Sequence, residues 1–259
     1  VRETIYPELA RIDGQAINIA TLDQAVEAAM NRARAGRGFR FFTLNLDHLV
    51  KRREDARFRA AYRNAELISA DGAPVAWLAR RQAEGIRRTT GADLVEPLSR
   101  AAAEAGIPIA LYGSTKDALQ RAAEHLAHLA PGLVIAHVEA PPFGFDPTSR
   151  EAEAAAERIA ASGARIVFVA LGAPKQELFA SHLAARVPGL GLVCIGAALD
   201  FLAGTQIRAP LPFRRAGLEW LWRLSTNPTR LAARYARCIA ILVALVLGAV
   251  PGAKRQIGA

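Results

Sequence analysis

The chain has 259 residues, 52% hydrophobic and 22% charged, enough apolar material for a substantial core, which excludes a disordered chain. Its two cysteines, Cys194 and Cys238, stand outside any CxxC or His/Cys cluster, which excludes a disulfide framework and a structural zinc site and fits a reducing compartment. The net charge of +9 sits almost wholly in the tail, where nine Lys/Arg from Thr205 onward face one acid, Glu219; such a tail either has an anionic partner or serves solubility alone.

The opening residues, VRETIYPELARIDG, contain no apolar run, so neither a secretory signal nor a membrane anchor is expected there. Apolar runs then alternate with helical patterns, the signature of a parallel sheet covered by helices on both faces. Strands are predicted over Ala16–Ala20, Phe39–Leu46, Leu67–Ala70, Ile107–Tyr112, Leu133–Val138, Ile166–Leu171 and Leu192–Ile195, with helices in the gaps. Thr21 and Gln24 form a capping box, and Pro74 suits a first helical turn. Helix formers recur at helical spacing over Ala92–Ala105, Thr115–Leu129, Thr148–Ala161 and Lys175–Arg186. Residues 1–204 are thus expected to form a Rossmann-like α/β domain and residues 205–259 a helical appendage.

In open α/β sheets ligands bind beyond the carboxyl ends of the strands, so polar residues there are candidates. Thr43 and Asn45 stand two apart at one such end and face one side; the competing role is helix capping by Asn45 or Asp47. Asp71 closes the next strand, placed to act as a general base or to hold a sugar hydroxyl, or to make an Asp-Gly turn. Gly172, Pro174, Lys175 and Gln176 make a strand-to-helix turn whose free N–H groups and Lys175 cation suit an anion. Asp200 follows the last strand and can accept from ribose hydroxyls or cap a turn. No GxxxxGK[ST] or GxGxxG motif supports an NTPase or dinucleotide reading. His48, His125, His128, His137 and His182 show no triad or metal context, and His125 and His128 are expected on a solvated helix face. Asp-x-Asp, with which many nucleotide-sugar transferases hold a cation, is absent, so chemistry without metal or cofactor is expected, with basic groups stabilising the leaving diphosphate.

In the tail a helix is predicted from Pro212 to Leu224, a break at Asn227-Pro228, and a second helix from Pro228. Arg215, Glu219 and Arg223 recur every four residues, and Arg230, Arg234 and Arg237 stand four and three apart, one basic stripe per helix. Leu218, Trp220, Leu221 and Trp222 lie off the stripe, as in a membrane-surface helix or in a helix docked with Trp inward. The apolar run from Cys238 to Val250 would be about 20 Å long as a helix, short of the ~30 Å hydrocarbon core, so shallow or re-entrant insertion is expected, flanked by Lys254 and Arg255. A tail running into such a segment argues against nucleic acid as its partner.

The order and spacing of TLNLDHLV, ADGAPVAWLAR, TTGADLV, LGAPKQE, IGAALDFLAG and RAPLPFRRAGLEWLWRL resemble the WecG/TagA/CpsF glycosyltransferases, from about Ile12 to Tyr235. The resemblance implies a Rossmann-like domain with a C-terminal appendage and an inverting, metal-independent transfer. The donor would be a UDP-sugar carrying N-acetylmannosamine, its uronic acid or glucose; the acceptor would be a polyprenyl-diphosphate-linked sugar. The setting would be the cytoplasmic face of the bacterial inner membrane, the protein being peripheral or monotopic through its C-terminal segment, in exopolysaccharide or cell-wall polymer synthesis. By position, Asp71 and Thr43 look like the family's catalytic pair, with Asp71 as base, and Asn45, Arg88, Gln176 and Asp200 look like donor-pocket residues. Arg208, Arg214, Arg215, Arg223 and Arg230 resemble the arginines with which the family's appendage closes over the diphosphate. Leu199 departs from the Phe often found before the Asp of that motif, and the apolar tail after Cys238 lies beyond the resemblance. The competing reading is a non-catalytic membrane or lipid-diphosphate binder, against which Thr43, Asp71 and Gln176 argue; a homo-oligomer is left open.

Overall fold

In the computed structural model, which describes residues 6–226 and 228–248, the chain opens on a two-stranded antiparallel hairpin, β1 (Ala10–Ile12) and β2 (Gln15–Ile17). Asp13 and Gly14, both at positive φ, turn it. Of residues 16–20, expected as a main-sheet strand, Ala16 and Ile17 belong to this hairpin instead, while Asn18 and Ile19 touch the main sheet through Ile68 O and an isolated bridge from Ile19 to Ser69. A two-residue turn allows local pairing at a lower loop-closure cost than a distant strand would require.

The remaining elements alternate. They are α1 (Leu22–Arg34), β3 (Phe39–Leu44), α2 (Leu46–Glu54), α3 (Ala56–Arg63), β4 (Leu67–Ala70), α4 (Ala73–Arg80), α5 (Gly91–Glu104), β5 (Ile109–Gly113) and α6 (Lys116–Leu129). There follow β6 (Ile135–Glu139), α7 (Arg150–Ala161), β7 (Ile166–Ala170), α8 (Lys175–Arg186), β8 (Gly191–Cys194) and α9 (Ala198–Leu202), and then the appendage helices α10 (Leu211–Arg215), α11 (Glu219–Thr226) and α12 (Pro228–Val246). The strands form a six-stranded parallel sheet in the order β4-β3-β8-β7-β5-β6. Alternate residues feed opposite faces: Phe42 and Leu44 pack under α2, α3, α4, α7 and α8, while Phe41 packs under α1, α5, α6 and α9. Strands covered on both faces read as unbroken apolar runs, which is why the sequence displays them as such. The helix after β5 lies on one face and the helix after β7 on the other, which opens a crevice at the carboxyl ends of these neighbouring strands.

The helix expected from Pro212 to Leu224 is interrupted instead at Ala216–Leu218. Gly217 has a φ of +73°, and a Cβ there would stand 2.4 Å from Ala73 Cβ, so the break lets the appendage backbone touch the start of α4. Arg215 consequently does not continue the Glu219–Arg223 stripe, and each arginine has its own surroundings. Beyond it, α12 lies along α2: Leu231, Cys238 and Ile241 are buried, and Arg234 Nε meets Asp47 Oδ1 at 2.9 Å. Burying the Leu231 and Ile241 side chains contributes about 1.5–3 kcal/mol each. The opposite face is apolar too, with Ile239, Val243 and Val246 exposed at spacings of four and three. Among the described residues no helix is long and apolar enough to cross a membrane. The end of the predicted apolar run at residues 249–250, Lys254, Arg255 and the side chain of Arg230 lie outside the described residues.

Candidate active site

Asp71 follows β4 directly, its N–H donating to Leu44 O at 2.9 Å so that the strand pairing extends to the carboxylate. Thr43 Oγ1 donates to Asp71 Oδ2 at 3.4 Å, and Asn45 Nδ2 donates to the same oxygen at 3.3 Å. Both bonds fall on Oδ2, and Oδ1 accepts no hydrogen bond among the described residues. Burial raises the Asp71 pKa above the ordinary carboxylate range; the Asn45 bond opposes this, the Glu219 carboxylate adds to it, and Arg88 and Arg223 oppose it.

Asn45 fills both roles expected of it. Its Oδ1 accepts from His48 N at 3.0 Å as the N-cap of α2, while its amide nitrogen serves Asp71. An amide has an acceptor end and a donor end, so capping and site support do not compete. His48, whose pKa burial pushes down to about 4, is neutral. Its Nδ1–H donates to Thr43 O at 2.7 Å, and its Nε2 faces Asn45 Nδ2 at 3.4 Å. Tyr62 OH donates to Thr43 O at 2.7 Å, so the backbone carrying Thr43 is held from two directions.

On the neighbouring strands, Gln176 is buried at the start of α8, accepting from Gly196 N at 3.0 Å and donating to Glu177 Oε1 at 2.9 Å. Glu177 is wholly buried with Oε2 unpartnered, and burial pushes its pKa up to about 7. Asp200, on α9, accepts from Ser114 Oγ and, at 3.2 Å, from Gln206 Nε2. Ser114 went unnoticed in the sequence because Gly113-Ser114-Thr115 reads as a turn followed by the cap of α6, a cap that Thr115 does supply. Its signal is a positive φ of 50°, rare for a non-glycine residue, directly after β5 at the crevice. Lys175 is exposed at the head of α8, its charge acting on Asp146.

Arg88 lies on a loop strapped beside β4 by Arg87 N–Ala20 O at 2.7 Å and Thr89 N–Ala70 O at 2.8 Å. It reaches Asp93 at 3.8 Å and Glu219 of the appendage at 3.5 Å. Arg208 pairs with Asp93 at 2.6 Å and Arg223 with Glu219 at 3.6 Å. Both lie over the Phe201 ring, at 5.9 and 5.5 Å from its centroid. Three of the proposed arginines are thus linked through Asp93, Glu219 and the Phe201 ring, and the charges of Arg88 and Arg223 act on Asp71. Arg214 is half-buried with Nε unpartnered and Arg215 is exposed; neither makes an ion pair among the described residues. Glu219 and Asp93 were not anticipated as site residues, since their pairing links segments more than a hundred residues apart. A shallow cavity of about 320 Å³ between Arg40, Glu66 and Pro188 lies at the amino ends of β3 and β8, away from this crevice, and its Arg40–Glu66 pair at 2.6 Å is already closed. Among the described residues no group of three His, Cys, Asp or Glu is placed to hold a metal ion.

A family model described as the glycosyl transferase WecG/TagA/CpsF family matches residues 10–256. The chain belongs to the WecG/TagA/CpsF family. It is therefore a glycosyltransferase of cell-surface polysaccharide synthesis. The WecG/TagA/CpsF match runs past Tyr235 and takes in α12, which corrects the expectation that the apolar tail stands outside the family's pattern. Leu199 is fully buried in the core that α5 and α6 cover.

Proposed function

We propose that the protein is an inverting, metal-independent hexosyltransferase that moves a sugar from a UDP-sugar to a polyprenyl-diphosphate-linked acceptor. The observation that carries the reading is a carboxylate of raised pKa, Asp71, held by Thr43 and Asn45 beside a cluster of three arginines. Asp71 Oδ1 would take the proton from the acceptor hydroxyl as that oxygen attacks the anomeric carbon. The C–O bond to UDP breaks on the opposite face, which inverts the centre. Arg88, Arg208 and Arg223 would stabilise the charge that accumulates on the departing diphosphate, the task a cation performs elsewhere. Ser114, Gln176 and Asp200 line the strand ends where a nucleotide would lie. Incubation with a panel of UDP-sugars and a short polyprenyl-diphosphate sugar is expected to release UDP, and to continue in EDTA. Activity lost to EDTA and restored by magnesium or manganese would overturn the metal-independent mechanism; absence of UDP release with every donor would favour the non-catalytic reading.

The same proposal places the protein on the cytoplasmic face of the inner membrane through the outward stripe of α12, Ile239, Val243 and Val246, with Trp220 and Leu221 partly exposed on the adjoining α11. An exposed apolar row on a basic appendage suits the surface of an anionic bilayer. Substituting Ile239, Val243 and Val246 together by Ser is expected to reduce co-sedimentation with anionic vesicles by about tenfold or more, since each loses apolar burial. Unchanged sedimentation would rule out this face as the contact. The division into a Rossmann-like glycosyltransferase domain at residues 1–204 and a basic, apolar helical appendage at 205–259 for membrane and lipid-diphosphate contact belongs to the same reading.

A further inference from the structure

The arginine cluster is not empty of anions in the free protein. Three guanidinium groups, Arg88, Arg208 and Arg223, share two carboxylates, Asp93 and Glu219, in a part-buried site. The two acids are held very differently. Asp93 accepts from Arg208 at 2.6 Å and from Thr90 Oγ1 at 2.8 Å, and Arg208, burial notwithstanding, holds its pKa below the ordinary range. Those are the lengths of tight charge-assisted bonds. Among the described residues Glu219 has no such bond: its oxygens stand 3.5 Å from Arg88 and 3.6 Å from Arg223, and its side chain retains 19% exposure. One acid is built in; the other is loosely placed between one guanidinium of the body and one of the appendage.

On this basis we infer that Glu219 is an internal counter-ion that stands in for the diphosphate, occupying Arg88 and Arg223 until the ligand's phosphate oxygens displace it. Resting on the proposed function, this deepens it by naming the group the ligand must compete with. A diphosphate carries at least two negative charges and several acceptor oxygens, so it can take both guanidinium groups at bonding distance, where Glu219 stands 3.5 and 3.6 Å from them. Before binding, Glu219 bridges Arg88 of the body and Arg223 of the appendage, at 3.5 and 3.6 Å. After transfer the same carboxylate is positioned to reclaim the arginines and help expel the product. Glu219 is in this sense a positioning residue, acting through Arg88 and Arg223 and making no bond to the reacting atoms.

The role predicts a gain, which a merely structural residue would not give. Binding of UDP and of inorganic pyrophosphate is to be measured by calorimetry on the full chain and on Glu219→Gln, which keeps the shape and removes the charge. Both ligands are expected to bind the variant about tenfold more tightly, a factor corresponding to about 1.4 kcal/mol of relieved competition. Glu219→Ala removes the same charge with a different shape and is expected to shift affinity in the same direction. Asp93→Asn is the contrast: it removes an acid that also fixes Arg208 through a short bond, and weaker binding is expected. Unchanged or weaker affinity for both ligands in Glu219→Gln, with its melting temperature retained, overturns the assignment whatever the transfer assay shows. Tighter pyrophosphate with no UDP binding in either protein upholds the counter-ion role and counts instead against a UDP donor.

Discussion

Asp71→Asn is expected to lower the transfer rate by about 100-fold or more while leaving UDP affinity nearly unchanged, because general-base assistance is worth about 10²–10⁴. Asn is isosteric and its oxygen can still accept from Thr43 and Asn45, so the geometry survives while the proton acceptor is lost. The pH profile carries an independent sign. The working form is the carboxylate, and burial raises its pKa, with Glu219 adding to the shift. Activity of the native protein should therefore decline on acidification at a pH above the ordinary carboxylate range, and the residual rate of the variant should lack that limb. Folding is not expected to suffer: a pKa raised in the folded state means that the charged form is the less stable one there, so a neutral amide removes a cost. A folded Asp71→Asn protein with full activity would remove Asp71 from the mechanism.

The largest effect on stability is expected from Gly113→Ala. Gly113 ends β5 with a φ of +122°, and a Cβ built on it would stand 2.3 Å from the Ala170 carbonyl oxygen and 2.5 Å from its carbon. Two costs combine: a backbone region nearly closed to side chains, about 1–3 kcal/mol, and backbone overlap with the adjacent strand, about 1–3 kcal/mol more. For a protein of this size each kcal/mol lowers the melting temperature by roughly 2–4 °C, so a drop on the order of 10 °C is expected in a thermal melt. UDP binding should weaken as well, because Ser114 N bonds Ala170 O at 2.9 Å and its hydroxyl meets Asp200 directly beside the clash. A variant that melts with the native protein would mean that β5 and β7 separate freely at this end.

The parts of the molecule that were legible in the sequence are those with local causes. Strands buried on both faces announce themselves as apolar runs, and Thr21, Thr115 and the Pro74 turn mark helix starts through side-chain chemistry within one turn. Thr43, Asn45 and Asp71 could be proposed together because strand ends in a parallel sheet converge, whatever the sequence between them. What escaped the sequence depends on distance or on a single backbone angle. Arg88 and Glu219 have nothing in common along the chain until the appendage folds back, and the stripe Arg215–Glu219–Arg223 looked continuous because nothing in helical periodicity records that Gly217 must touch Ala73. The hairpin at Ala10–Ile17 escaped for the opposite reason: its second strand carries the same alternating pattern that a main-sheet strand would show.

Helix α2 has a neighbour at each stage of its length. Asn45, its N-cap, bonds Asp71, Asp47 in its first turn meets Arg234, and Glu54 at its last residue meets Arg237 at 3.3 Å. With α12 packed along α2, the two helices are expected to open as one cooperative unit. Their most protected amides should share one opening free energy in hydrogen exchange, higher than that of α11 between α10 and α12. The tail would then reach the carboxylate by way of rigidity, and slackness introduced at Arg234 would be read at Asp71, a helix away, as a loss of registry between base and substrate.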